Sequence, residues 1–258
     1  MLSQPLLAKL RQLGLTGFQA ALEEQQRNSQ YAELSFEDRL GMMIDRECLR
    51  RQDNSLRRRI KAAGFALPAS LEDLDFSPRR GLTRSLILEL AQGEWIHRCL
   101  NVVVLGPTGA GKSYLACTLG HTACRQDYSV RYERTSRLLH ELMLSHADGS
   151  YLKMLHTCTC RRCKCGLSRV KLLICDDWLR DPLTLAQARD LLEILDDRYG
   201  RSSTLVATQI PVEEWHARIP DPTLADAVLD RLVHNAYRLE LKGDSMRKPP
   251  SPLQLPAS

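Results

Sequence analysis

The sequence predicts an α/β domain with a mainly parallel sheet, preceded by an all-helical N-terminal domain. Three observations predict it. Beyond residue 86, five short apolar runs alternate with helical stretches: NVVVL (101–105), SVRYE (129–133), KLLIC (171–175), STLVA (203–207) and YRLEL (237–241). The first run ends in a glycine-rich loop. Apolar residues make up 43% of the chain but aromatics only 5%, so the core must be built from Leu, Ile, Val and Ala, which suits helices around a parallel sheet.

The N-terminal part has the 3.6-residue period of helices. Leu6, Leu7, Leu10 and Leu13 share one face, Gly14 and Gly17 break the run, and Phe18, Ala21 and Leu22 open a second helix. Ser35 and Asp38 form a capping-box variant. Phe36, Leu40, Met43, Ile44 and Cys48 follow as an expected apolar face. That helix then turns basic through Arg46, Arg50, Arg51, Arg57, Arg58, Arg59 and Lys61. Such a run is either a solvated face, with Glu47 and Asp53 as partners, or a surface for phosphates or an acidic partner; Arg50, Arg57, Arg58, Arg59 and Lys61 are the candidates. The expected division is a helical domain over 1–66, a Pro- and Gly-bearing linker over 67–85, and the α/β domain over 86–258.

The first strand leads into Gly106-Pro107-Thr108-Gly109-Ala110-Gly111-Lys112-Ser113, followed by Tyr114 and a helical stretch. This is the phosphate-binding loop G-x-x-x-x-G-K-[ST] in its strand–loop–helix setting. Glycines let successive N–H groups turn toward phosphate oxygens. The helix that starts there adds its positive dipole end. Lys112 is expected to neutralise the β- and γ-phosphates, and the Ser113 hydroxyl to ligate Mg²⁺. LLICDDW supplies the second acidic group, with Asp176 expected on Mg²⁺ and Asp177 on the attacking water. STLVATQIP ends in Thr208 and Gln209, either of which could meet the γ-phosphate or the water; Gln209 is the candidate. A loop-bearing strand, an acidic strand and a polar-tipped strand, in that order, belong to the ASCE branch of P-loop ATPases. ATP and Mg²⁺ are the expected cofactors.

GPTGAGKSYLACTLGHTACR, LLICDDW, LTLAQARDLLEILDDRYGRSSTLVATQIPVEEWH and LDRLVHNAYRLELKGDSMRK together resemble the IstB-like proteins, and the resemblance covers nearly the whole chain. These are AAA+ helper ATPases of bacterial insertion sequences, related to the helicase loader DnaC. The resemblance implies a P-loop core without a full C-terminal helical lid. It also implies an arginine finger at Arg231, acting on a neighbouring subunit, and a γ-phosphate contact at Arg247. Its functional implication is ATP-dependent assembly on double-stranded DNA as a homo-oligomer, in contact with a cognate transposase in the bacterial cytoplasm. A helicase loader, or a hydrolysis-impaired DNA-binding protein, is the alternative.

Two departures from the family pattern stand out. Leu179 occupies a position that is usually Gly, and Asp177 one that is often Glu, implying slow hydrolysis with nucleotide binding preserved. HTCTCRRCKCG, with Cys158, Cys160, Cys163 and Cys165, interrupts the approach to the acidic strand. Its compact C-x-C pairs suit a soft metal better than a structural zinc site, which uses pairs spaced by two to four residues. The run is read as an exposed insert, with metal binding or redox sensing as alternatives. Nine cysteines, an odd number, without an export signal point to reduced thiols. No apolar run is long enough to span a membrane. A net charge of +5 is compatible with nucleic acid without proving it.

Overall fold

The computed structural model describes residues 4–156, 166–243 and 245–246. The chain divides into two compact units, Met1–Arg58 and Arg59–Ser258.

The first unit holds α1 (Gln4–Gln12), α2 (Thr16–Arg27) and most of α3 (Phe36–Ala63). Gly14, at φ 68°, closes α1, and Leu15 N–H returns to Leu10 O at 2.9 Å. The start of α2 has no side-chain cap of its own. Glu47 of α3 supplies one: its Oε2 accepts from Gly17 N–H at 2.8 Å and Phe18 N–H at 3.3 Å. A Cβ on Gly17 would lie 2.9 Å from that oxygen, so a side chain there would push the carboxylate off the two amides. The Arg50 guanidinium, opposed by burial and assisted by Arg51 and the two backbone amides, lowers the Glu47 pKa to about 2. Ser35 caps α3 by accepting from Asp38 N–H at 3.1 Å, while its hydroxyl donates to Asp38 Oδ2 at 2.7 Å.

The apolar face expected on α3 does not form. Met43 is buried, but Phe36 is 73% exposed, and Ile44 and Cys48 also face solvent. Glu47 has to face the start of α2, which sets the inward stripe on Met43 and Glu47 and rotates Ile44 and Cys48 outward.

The second unit is a five-stranded sheet of β1 (Asn101–Leu105), β2 (Val130–Arg134), β3 (Leu172–Asp176), β4 (Ser203–Thr208) and β5 (Ala236–Glu240). The order is β2-β3-β4-β1-β5 and every pairing is parallel. All five runs expected from the sequence are present, with ends shifted by a residue at most. The central strands β3 and β4 are buried throughout. α6 (Lys112–Arg125) covers one face of the sheet. A Cβ on its Gly120 would lie 2.8 Å from Ile174 Cδ1. α7 (Thr135–Ala147), α9 (Leu185–Arg198) and α10 (Pro222–Val233) cover the other, around Val103, Leu173 and Val206. The two shorter helices before β1 are α4 (Arg84–Ala91) and α5 (Glu94–His97); α8 (Tyr151–His156) follows α7. No further helix follows β5 among the described residues.

The division at Arg58 lies earlier than the boundary expected at residue 66. The end of α3 is held by the α/β unit: Arg59 Nε donates to Cys124 O at 2.9 Å and its guanidinium pairs with Asp127. Residues 67–85 are similarly tied in. Ser70 N–H donates to the Tyr114 hydroxyl at 3.3 Å, and Lys242 N–H to Arg80 O at 2.9 Å.

Arg198 is buried at the end of α9. It donates to Leu167 O at 2.7 Å, Val170 O at 2.8 Å, Thr204 Oγ1 at 3.0 Å and Ser203 O. Burial lowers its pKa to about 10. It therefore ties α9 to β4 and to the approach to β3. Just before that approach, the chain closes on itself. Ser168 N–H donates to Leu155 O at 3.0 Å, and a Cβ on Gly166 would lie 2.1 Å from the same oxygen. The cysteines Cys158, Cys160, Cys163 and Cys165 lie outside the described residues.

Candidate active site

Parallel strands place their C-terminal ends on one edge, and the candidate residues collect there. Between β1 and α6 the loop runs through Gly106, Gly109 and Gly111 at φ 154°, 83° and 99°. Left-handed backbone of this kind favours glycine. Space demands it as well: a Cβ on Gly106 would lie 2.7 Å from Leu241 O, and one on Gly109 2.1 Å from Ser245 Oγ. Met246 N–H donates to Gly109 O at 2.9 Å, so the chain after β5 lies against the loop. Lys112 Nζ donates to Pro107 O at 2.9 Å.

A cavity of about 640 Å³ opens over this loop, within the range of small-molecule sites. Residues from Thr108 to Tyr114 line it, together with Asp176, Asp177 and Gln209. The sequence-predicted residues of the loop, the acidic strand and the polar strand thus meet at one place. Gln209 rather than Thr208 faces the cavity. Thr208 is fully buried and its hydroxyl donates to Trp178 O at 2.7 Å. Gln209 Oε1 accepts from Thr108 Oγ1 at 2.5 Å, which leaves its two amide N–H groups for a ligand.

Asp176 is only 3% exposed. Its Oδ1 accepts from Asp177 N–H at 2.9 Å and its Oδ2 from the Tyr132 hydroxyl at 2.5 Å. Burial, then the Asp176 carboxylate, push the Tyr132 pKa up. Thr135 Oγ1 donates to Asp176 O at 2.9 Å, anchoring the strand end from the β2 side. Asp177 and Leu179 both have positive φ, 54° and 50°. Arg218 holds this turn by donating to Leu179 O at 3.3 Å and Arg180 O at 2.9 Å. A left-handed backbone at Leu179 gives a physical reason for the Gly of the family pattern. The buried Leu side chain, 1% exposed, offsets the strain.

The donor set fits a nucleotide with Mg²⁺. Ser113 and Asp176 offer hard oxygen atoms within the same cavity as the glycine loop. Sequence reasoning did not find Tyr132, Arg134, Arg180 or Arg218. Tyr132 and Arg134 reach the site only through the register of β2 on β3, where Arg134 lies opposite Asp176. Asp73, Asp75 and Arg80 also line the cavity, from the segment read as a linker.

Arg231 does not join this cavity. Its backbone carbonyl accepts from Asn101 Nδ2 at 2.8 Å, at the opposite end of β1 from the loop, and its guanidinium pairs with Asp196. Arg247 lies outside the described residues. On α3, Arg50 is engaged by Glu47 and Gly14 O, and Arg59 by Asp127 and Cys124 O. Arg57, Arg58 and Lys61 are exposed.

A family profile described as IstB-like ATP binding protein matches residues 8–252. The insertion sequence ATP-binding protein y4pL of Sinorhizobium fredii is 46% identical over 96% of this chain and 98% of its own length. The ATP-binding protein Rv3427c, in an insertion sequence of Mycobacterium tuberculosis, is 30% identical over 92% of each chain. Among solved structures, DnaI superposes with a TM-score of 0.55 at 18% identity, covering 74% of this chain and 93% of that one. AMPPCP-bound DnaA from Aquifex aeolicus superposes with a TM-score of 0.56 at 15% identity, covering 70% of this chain and 52% of that one. At these identities the structural likeness establishes the fold.

Proposed function

The chain belongs to the IstB-like ATP-binding family, and from that premise we propose that it is an ATP-hydrolysing helper of an insertion-sequence transposase, working on double-stranded DNA as a homo-oligomer. One observation carries the catalytic part: the phosphate loop, the acidic pair and Gln209 line a single cavity.

In this reading the loop amides and the start of α6 bind the β- and γ-phosphates. Lys112 exchanges its contact with Pro107 O for phosphate oxygen. Ser113 and Asp176 hold Mg²⁺, which, when bound, screens the phosphate charge. Asp177 orients the attacking water and accepts its proton, and Gln209 donates to that water or to the γ-phosphate. Water adds to the γ-phosphorus as the bond to the β-bridging oxygen breaks, giving ADP and phosphate. Arg231, a strand's length from its own cavity, acts on a neighbouring copy. Arg57, Arg58 and Lys61 supply phosphate contacts to DNA. Such contacts are salt-sensitive and little dependent on sequence.

The test is ATP turnover with and without duplex DNA, beside Lys112→Ala. DNA-stimulated turnover that is lost in Lys112→Ala supports the reading. Nucleotide binding without turnover leaves a DNA-binding or interaction protein. Absence of both ATP and DNA binding sinks the proposal.

A further inference from the structure

Asp176 is fixed by a side chain on the neighbouring strand that no motif marks. Tyr132 lies opposite Ile174 in the β2–β3 pairing. Side chains two residues apart on a strand share a face, so Asp176 lies on the same face as Ile174. That face is covered by α6, since Ile174 approaches Gly120. Ser113 begins the same helix. Tyr132 is therefore the diagonal neighbour of Asp176 on the side from which the phosphate loop and Ser113 approach. Diagonal pairs of this kind are within reach of aromatic side chains.

We propose that Tyr132 is the positioning residue for the metal-binding carboxylate. Its hydroxyl donates to Asp176 Oδ2 at 2.5 Å while Asp177 N–H occupies Oδ1 at 2.9 Å. Two donors, one on each oxygen, fix both the rotation and the tilt of the carboxylate plane. Each oxygen keeps a further lone pair for Mg²⁺ or for a Mg²⁺-bound water. Tyr132 is 6% exposed, so no bulk water stands ready to replace the phenol. Without the hydroxyl, a buried carboxylate oxygen is under-satisfied and free to turn from its metal-facing orientation. Outer partners of metal ligands act in this way, and losing one costs about 10-fold to 100-fold in metal affinity.

This inference rests on the ATP·Mg²⁺ reading of the site, and the experiment separates the two. In the full chain, binding of a fluorescent ATP analogue is titrated with Mg²⁺ for wild type and Tyr132→Phe, and repeated in EDTA. The ring and its packing remain in Tyr132→Phe. The Mg²⁺ concentration for half-maximal effect is expected to rise about 10-fold, with binding in EDTA unchanged and the thermal midpoint lowered by only a few degrees. In an Asp176→Asn background the same substitution is expected to add nothing, because the two residues act through one interaction. Unchanged Mg²⁺ dependence in a folded Tyr132→Phe chain overturns the assignment and leaves the ATP reading intact. A wild-type chain without Mg²⁺-dependent nucleotide binding overturns both. If Tyr132→Phe does not fold, 3-fluorotyrosine placed at position 132 keeps the hydroxyl. Its ¹⁹F resonance should shift on addition of Mg²⁺ with nucleotide, and no shift counts against the proposal.

Discussion

Asp177 has a φ of 54°, a region that Asp and Asn enter more readily than most side chains. Asp177→Asn therefore keeps the backbone and removes only the proposed proton acceptor. Steady-state turnover should fall by about 10²- to 10⁴-fold, while equilibrium binding of Mg²⁺·ATP stays unchanged. Parallel loss of binding would assign Asp177 to holding the nucleotide instead. That the glycine loop, Asp176 and Asp177 would meet at one cavity was legible, because the expected chemistry asks for these residue types at the ends of adjacent strands. Tyr132 was not legible, because in SVRYE it reads as one more buried strand residue. Only the pairing register of β2 on β3 brings it to Asp176. Arg218 was hidden for a similar reason: its targets are backbone carbonyls across a turn.

Among the elements, the strands and their parallel sheet followed from short β-branched runs alternating with helical stretches, while the order of the strands in the sheet did not. The helical unit was harder to read. The apolar pattern on α3 suggested an inward face that its tertiary partner overrode, because Glu47 is committed to the start of α2. A folded-state pKa of about 2 against an ordinary value of 4.5 gives this junction a pH signature. A depressed carboxylate contributes stability that is present above its unfolded pKa and lost as pH falls through the folded one. Helicity of the first unit should therefore weaken between about pH 4.5 and 2, measured by circular dichroism on the full chain. In Glu47→Gln that part of the acid transition should disappear, with lower stability at neutral pH. An unaltered acid transition in Glu47→Gln would place the source elsewhere. The segment over 67–85 reads as a linker by Pro68, Pro78 and Gly81, yet it walls the cavity. Composition records turns, but not what the turning chain packs against.

For the whole molecule, the position of Arg231 makes the site a shared one in the proposed assembly. Within one chain it stands at the far end of β1 from the phosphate loop. Arg231→Ala should thus lower turnover in the assembled state about 10³-fold or more while leaving ATP affinity intact. Mixing Arg231→Ala with Lys112→Ala should restore part of the turnover, since some interfaces then pair an intact loop with an intact finger. Failure of mixed assemblies to recover turnover would confine Arg231 to its ion pair with Asp196. The closed neck at Leu155 and Gly166 has another kind of consequence. Its two sides are already joined by the Ser168–Leu155 hydrogen bond, while Arg198 secures the strand beyond. Chain length between Leu155 and Gly166 is then nearly decoupled from the register of β3, because lengthening a segment whose ends already meet costs little. Over generations, this neck is a place where codons can be gained, lost or exchanged while β3 keeps its register.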